Sequence, residues 1–321
     1  MLPIIDLPEL RGADLSHLAR IGFEIGQACR DTGFFYITGH GIDARTIDNL
    51  FAASQSFFAL PLEEKQQLAI HARSGNRGYV PLRTEALAPG HNVDNKEAFN
   101  VGLELAPDDP GIAAGVAGRA HNMWPKLHGF RTTMLDYFAR MHRLGCDLHK
   151  AIAMDLGVEP FYFEPLFSKP MATLRLLHYP DAVTRRDQYG AGAHTDYGNL
   201  TILLTDDVGG LEVQTVEGTW VEAPYVPGSF VCNIGDCLMR WTNDVYKSTP
   251  HRVIEPVGRD RYSIAFFLDA NPEAKVEVIE TCYGLDHPKK YAPITAADYL
   301  ASRFAETYGF GKKVAPHARR P

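Results

Sequence analysis

The stretch TLRLLHYP, Thr173–Pro180, opens a change of rhythm in the chain. After it come LTILLT (200–205), LEVQT (211–215), TWVEA (219–223), SFVCNI (229–234), HRVI (251–254), YSIAFFL (262–268) and KVEVI (275–279). Each is a short apolar or period-two run, and Gly, Pro, Asn and Asp clusters separate them, the pattern of an all-β sandwich or barrel. About eight strands in so short a stretch is the strand count of a jelly roll. The expectation is a mainly β protein with α-helices, its jelly-roll core at residues 171–280.

Outward from this core the periods change. Toward the N-terminus, Trp124 to Leu156 repeats apolar residues every three or four positions, interrupted at Gly145, and reads as one or two long helices. Leu18, Ile21, Ile25 and Cys29 mark another helix, and Ile47, Leu50, Phe51, Ser54 and Phe58 a third, with Asp43 placed to cap it and Pro61 to stop it. Short β-type runs open the chain at Pro3–Leu7 and recur at Gly33–Thr38. From Arg73 to His121 the pattern dissolves into Gly, Pro, Asn and charges around the islands GNRGYVPL and KEAFNVG. A structureless stretch of that length is either disordered or functional, and the embedded aromatics favour function, as a lid. Beyond the core, Thr295 and Asp298 stand in capping-box register before a last helix that should end at Gly309. The predicted organisation is one catalytic domain, 1–321: a helical N-terminal region with early strands (1–170, lid at 73–121), the core, and a C-terminal helix and tail (281–321).

Composition narrows the function classes. The 321 residues are 45% apolar and 22% charged, an ordinary globular balance, with a formal net charge of −7. That charge argues against nucleic-acid or anionic-membrane binding. Five cysteines, an odd number without a CxxC pair, argue against a disulfide scaffold or a zinc ribbon. No run approaches the ~18 apolar residues of a membrane span, and the start lacks a basic leader, so a cytoplasmic location is expected.

Chemistry concentrates at one tripeptide. His194-Thr195-Asp196 is the chain's one H-x-D, at the end of a predicted strand, and strand alternation puts residues 194 and 196 on one face. His251 begins another predicted strand 55 residues after Asp196. Two imidazoles and a carboxylate on one face of a metal, with the other face open, suit non-haem Fe(II) oxygenases. Ten residues past His251, Arg261 and Ser263 share a strand face. A guanidinium with an adjacent hydroxyl, pointed inward, is a carboxylate site.

PIIDL, GFFYITGHGI, LRLLHYP, GAHTDYG, VGGLEV, NIGD, KSTPHRV and RYSIAFF, in that order, resemble the isopenicillin-N-synthase-like group of Fe(II)- and 2-oxoglutarate-dependent oxygenases, nearest the thymine-hydroxylase type. The resemblance spans essentially the whole chain. It implies a double-stranded β-helix, Fe(II) held by His194, Asp196 and His251, 2-oxoglutarate held at its far carboxylate by Arg261 and Ser263, and a Tyr179 hydroxyl on the cosubstrate. It also implies dioxygen as a reactant, with succinate and CO2 released as a small organic substrate is oxidised, by hydroxylation. Many plant members carry Asn where this chain has Leu177; Asn233 is placed to supply that polar contact, or else belongs to the turn before Gly235-Asp236. Two alternatives remain: an Fe(II) oxidase of this fold that spares 2-oxoglutarate, and a non-catalytic jelly-roll binding protein.

For the substrate, parity with Arg261 turns Phe267 inward, and parity with Tyr179 turns Arg175 inward. With Arg77, Tyr79, Glu97 and Phe99 from the lid, they suggest a small planar or carboxylate-bearing substrate, anchored by Arg175 against Phe267. His178, alternating with Tyr179, should face away.

Overall fold

A computed structural model describes residues 2–7, 14–71, 74–86, 93–181 and 189–308. Seven of the eight strands predicted between residues 173 and 279 lie in two facing sheets, whereas KVEVI contributes only Lys275–Val276, in a separate ribbon. The larger has eight strands: β1 (Ile4–Asp6), β2 (Phe34–Thr38), β3 (Gly78–Val80), β4 (Glu97–Gly102), β5 (Thr173–Tyr179), β7 (Leu200–Thr205), β10 (Phe230–Ile234) and β12 (Arg261–Leu268), in the order β1-β2-β10-β7-β12-β5-β4-β3. The smaller has β6 (Tyr189–His194), β8 (Leu211–Gln214), β9 (Trp220–Glu222) and β11 (His251–Ile254), in the order β6-β11-β8-β9. A two-stranded ribbon pairs β13 (Lys275–Val276) with β14 (Ile294–Thr295). Apart from the parallel β1-β2 pair, strand neighbours run antiparallel, the jelly-roll architecture.

The large sheet has two different faces, because side chains alternate along each strand. One face carries Leu174, Leu176, Ile202, Leu204, Ile264 and Phe266, all buried against the helices. The other carries Leu177, Tyr179, Val231 and Ala265 and packs toward Val213 and Val253 of the small sheet. A cavity lined by Leu177, Tyr179 and Ala265 lies on that second side.

Three helices cover the first face: α1 (Leu15–Asp31), α2 (Ala44–Phe58) and α5 (Phe130–Asp155). Asp14 and Asp43 accept hydrogen bonds from the backbone N–H groups of His17 and Thr46, at 2.8 and 2.9 Å, each satisfying a donor that the helix start leaves open. The expected stop at Pro61 instead separates α2 from a short α3 (Leu62–Gln66). The long helix begins at Phe130 rather than Trp124, behind Gly129 in a left-handed conformation. Gly145 is where α5 crosses β12: an added Cβ would lie 2.6 Å from Leu268 Cδ2. The capping box is present, Asp298 N–H donating to Thr295 Oγ1 at 3.1 Å at the start of α7 (Ala296–Tyr308). The expected helix end at Gly309 lies outside the described residues.

The stretch 73–121 differs from the expectation of a structureless lid. Its described residues hold β3, β4 and a short α4 (Pro110–Ala113), and β4 pairs with β5 from Glu97↔His178 to Gly102↔Thr173. All six residues of β4 are buried, so no polar-apolar alternation marks it in the sequence. No helix among the described residues is long and apolar enough to cross a membrane.

Candidate active site

His194 ends β6 and His251 begins β11, and the two are direct cross-strand partners. Asp196 comes not from strand alternation, as expected, but from the turn after β6. That turn is held by backbone bonds from the start of α6 (Asp236–Trp241): Asp236 N–H donates to Asp196 O at 2.7 Å and Cys237 N–H to Gly198 O at 3.0 Å. The result is the predicted triad. One ligand atom from each of His194, Asp196 and His251 lies within 4.8 Å of the others, and Asp196 Oδ1 is 3.9 and 3.7 Å from the two imidazole Nε2 atoms.

Hydrogen bonds behind the triad decide which atoms face inward. His194 Nδ1 lies 2.7 Å from Gly192 O and His251 Nδ1 3.2 Å from Thr249 O. A carbonyl only accepts, so each Nδ1 carries the proton and each Nε2 presents a lone pair. Asp196 Oδ2 accepts from Thr201 Oγ1 at 2.5 Å and from Asn233 Nδ2 at 2.7 Å, leaving Oδ1 to the histidines. Burial, then the neighbouring His251, pushes His194 down to about 3. Burial opposes ionisation of Asp196, but His251 and His194 hold its carboxyl below the usual range. Neutral imidazoles and an ionised carboxylate are the forms that ligate a divalent cation.

Arg261 is fully buried and makes no salt bridge with any described carboxylate. Its Nε donates to Gly209 O at 2.7 Å, its Nη1 lies 3.3 Å from Ser263 Oγ, and its guanidinium packs 4.8 Å from the centre of the Tyr179 ring. A guanidinium taken out of water without a counter-ion is costly unless an anion completes it. The expected Arg261-Ser263-Tyr179 grouping is therefore present, with the Gly209 carbonyl as a fourth member that no sequence signal announced. Asn233 lines the cavity too, but its amide nitrogen is spent on Asp196.

Triad and Arg261 open on one cavity of about 180 Å³. Arg175 and Phe267 line it as expected. Arg77, Tyr79 and Phe99 do not, and these three need correction. Phe99 and Tyr79 are cross-strand partners on the helix-facing side, packed with Phe57. Tyr79 and Lys65 both donate to Glu97, on that same side. Arg77 donates to Gly118 O at 2.8 Å under β4. The lid residues at the cavity are instead Asn76, Glu85 and Lys96. His178 faces away, between Glu97 and Asp260.

Arg175 is already partnered, its Nη2 lying 2.5 Å from Glu85 Oε2, with Lys96 Nζ 3.5 Å from the same oxygen. Burial alone would raise the Glu85 carboxyl, yet Arg175 and Lys96 hold it below its usual range. Asp269 also lines the cavity, with Oδ1 buried and unpartnered among the described residues. Burial and the charge of Asp196 push it up to about 7. Continuing the alternation 261, 263, 265, 267 by one step finds it in the sequence. Leu300 and Phe304 of α7 close the far side, Phe304 edge-on to Tyr197 at 5.6 Å.

Comparison with known proteins agrees with this geometry. Residues 170–270 match the 2OG-Fe(II) oxygenase superfamily, and residues 2–127 match the family described as non-haem dioxygenase in morphine synthesis N-terminal. The chain is 38% identical to the 2-oxoglutarate-Fe(II) type oxidoreductase hxnY of Emericella nidulans, over 96% of this chain and 90% of that protein. It is 36% identical to a homoarginine-6-hydroxylase of Oryza sativa, over 88% and 89%. Among solved structures it is similar to the thymine-7-hydroxylase of Neurospora crassa in complex with alpha-KG and thymine, with 31% identity, TM-score 0.85 and coverage of 96% and 97%. The chain thus belongs to the 2OG-Fe(II) oxygenase superfamily, and is an Fe(II)- and 2-oxoglutarate-dependent dioxygenase.

Proposed function

We propose that His194, Asp196 and His251 hold the Fe(II), that Arg261, Ser263 and Tyr179 hold the far end of 2-oxoglutarate, and that the protein hydroxylates a small, planar, hydrogen-bonding molecule. The observation that carries the cosubstrate assignment is the buried Arg261 without a carboxylate partner among the described residues. The donor set fits the metal: two lone-pair nitrogens and one carboxylate oxygen converge, and hard and borderline donors of this kind suit Fe(II). When bound, iron and 2-oxoglutarate supply dioxygen activation, with succinate and CO2 as products of the keto acid. The chain's own residues do the remaining work. Arg261 orients the cosubstrate, Thr201 and Asn233 keep Asp196 Oδ1 turned inward, and the apolar walls exclude water from the reacting centre.

The cavity supports a neutral substrate over a carboxylate-bearing one. Arg175 already has Glu85 as counter-ion, so a second carboxylate there would displace an existing ion pair. Phe267 offers a flat apolar face, while Arg175, Glu85 and Asp269 offer polar contacts along the wall. The Neurospora crassa enzyme is described with thymine bound, and pyrimidines and related small heterocycles are the probes to begin with. The test is succinate formation from 2-oxoglutarate with and without each probe, with product identified by mass. His194→Ala, Asp196→Ala and His251→Ala should each reduce turnover more than tenfold in folded protein, at least ~1.4 kcal/mol on the barrier. Activity retained in Asp196→Ala would remove the ligand assignment.

A further inference from the structure

The small sheet is irregular beside its metal-facing end. His251 pairs with His194 and Val253 with Ala191, so two residues, Gly192 and Ala193, stand opposite Arg252. Such a bulge interrupts the ladder and leaves backbone groups to find other partners. At Gly192 both have found them. Its N–H donates to Asp94 Oδ1 at 2.9 Å, and its carbonyl accepts from His194 Nδ1 at 2.7 Å.

Asp94 is itself held in place. It is 2% exposed, and its Oδ2 pairs with Lys96 Nζ. Lys96 in turn reaches Glu85, the partner of Arg175. The backbone fixes the same segment, Asp94 N–H donating to Glu85 O at 2.8 Å and Asn95 N–H to Tyr189 O at 3.1 Å. Burying the Asp94–Lys96 pair, with Glu85 and Arg175 half-buried beside it, is not an efficient way to gain stability, which argues for a positional task.

We propose that Asp94 is a positioning residue for His194, acting through the Gly192 backbone. Glycine has the widest backbone freedom of any residue. At a bulge, with no ladder bond to restrain it, the carbonyl that orients the imidazole would turn unless the N–H on the other side of the Cα were held. A charge-assisted bond from a buried carboxylate holds it. Asp94 thus fixes the ring from outside the triad, and joins the substrate wall of the cavity to one metal ligand. The inference rests on His194 being a ligand.

The experiment is titration of the metal-free protein with Co(II), followed by calorimetry and by the visible absorption of the bound ion. Loss of a partner behind a ligating histidine weakens metal affinity by about 10–100-fold, and Asp94→Ala is expected at the lower end, about tenfold, with an altered spectrum. Asp94→Asn, which keeps an acceptor oxygen for Gly192, should recover most of the affinity. Arg83→Ala removes the 2.9 Å bond from Arg83 to Asn95 in the same segment but leaves Asp94 in place, and should bind Co(II) within twofold of the parent. Co(II) affinity and spectrum unchanged in folded Asp94→Ala would overturn the proposal, as would an equal loss in Arg83→Ala. A measurement on the unaltered protein does not depend on either variant folding: Co(II) should slow amide exchange in the peptides covering 93–96 and 190–194 together, and slowing confined to 190–194 would also overturn it. His194→Ala separates the two levels. If that change leaves Co(II) affinity intact, the ligand assignment fails; if it abolishes binding while Asp94→Ala does not weaken it, only the positioning role fails.

Discussion

Asn233 and Asp196 are joined by a 2.7 Å hydrogen bond from Nδ2 to Oδ2, a contact between β10 and the turn after β6. Together with the Thr201 hydroxyl, which donates to the same oxygen, it leaves Oδ1 to the histidines. Asn233→Leu should therefore weaken metal binding about tenfold with the fold intact, because one restraint on Asp196 is lost and Thr201 remains. Co(II) or Mn(II) titration checks it; equal affinity in the variant would show that Thr201 suffices alone.

Arg261 provides a test of the cosubstrate site that does not need the primary substrate. Arg261→Leu removes a charged hydrogen-bonding partner worth roughly 1.5–3 kcal/mol, so the 2-oxoglutarate dissociation constant should rise by about one to two orders of magnitude. Arg261→Lys should recover only part, since a point charge cannot reproduce the guanidinium fork. Calorimetric binding of 2-oxoglutarate to the metal-loaded protein reads both, and unchanged affinity in the two variants would place the far carboxylate elsewhere.

His149 predicts an acid-sensitive core. It is buried between Phe163 and Phe167, its Nδ1 donates to Gly145 O at 2.8 Å, and its Nε2 has no partner among the described residues. Burial pushes it down to about 4. The unfolded chain takes up this proton first, so the stability it contributes is present above about pH 6.5 and is lost as pH falls toward 4. The loss is on the order of 3 kcal/mol. Denaturant unfolding between pH 7 and pH 4 should show it, and His149→Phe should flatten the profile.

Gly145 sets the distance between α5 and β12. Gly145→Ala places a methyl 2.6 Å from Leu268 Cδ2. Overpacking of about 1–3 kcal/mol should exceed the helix-propensity gain of about 1 kcal/mol. A melting temperature equal to or above that of the parent would show that Leu268 moves aside at no cost.

The legible and illegible parts of the site differ in physical kind. Arg261, Ser263 and Phe267 are readable because alternation along one strand is a local geometric rule that needs no knowledge of neighbours. Asp269 obeys the same rule one step past Phe267, just beyond the apolar run that marks the strand. Tyr79 and Phe99 are misread because β3 and β4 are buried on both faces. Without polar positions to mark a side, nothing local tells which of two consecutive residues meets the cavity. Glu85, Asp94 and Lys96 lie in an irregular segment with no period at all.

From the sequence alone came the strand rhythm of the jelly-roll core, the candidate ligands His194, Asp196 and His251 and the Arg261-Ser263 pair, since strand rhythm and residue chemistry are written in short stretches of chain. Tertiary structure alone decided the rest. It brought Glu85 to Arg175 across 90 residues of chain, turned Asp196 through a bond to a strand 37 residues away, and used Asp94 to complete a bulged glycine 98 residues on. Each of these is a partnership between buried or half-buried polar groups, and such a group's partner is chosen by the packing of elements distant in sequence.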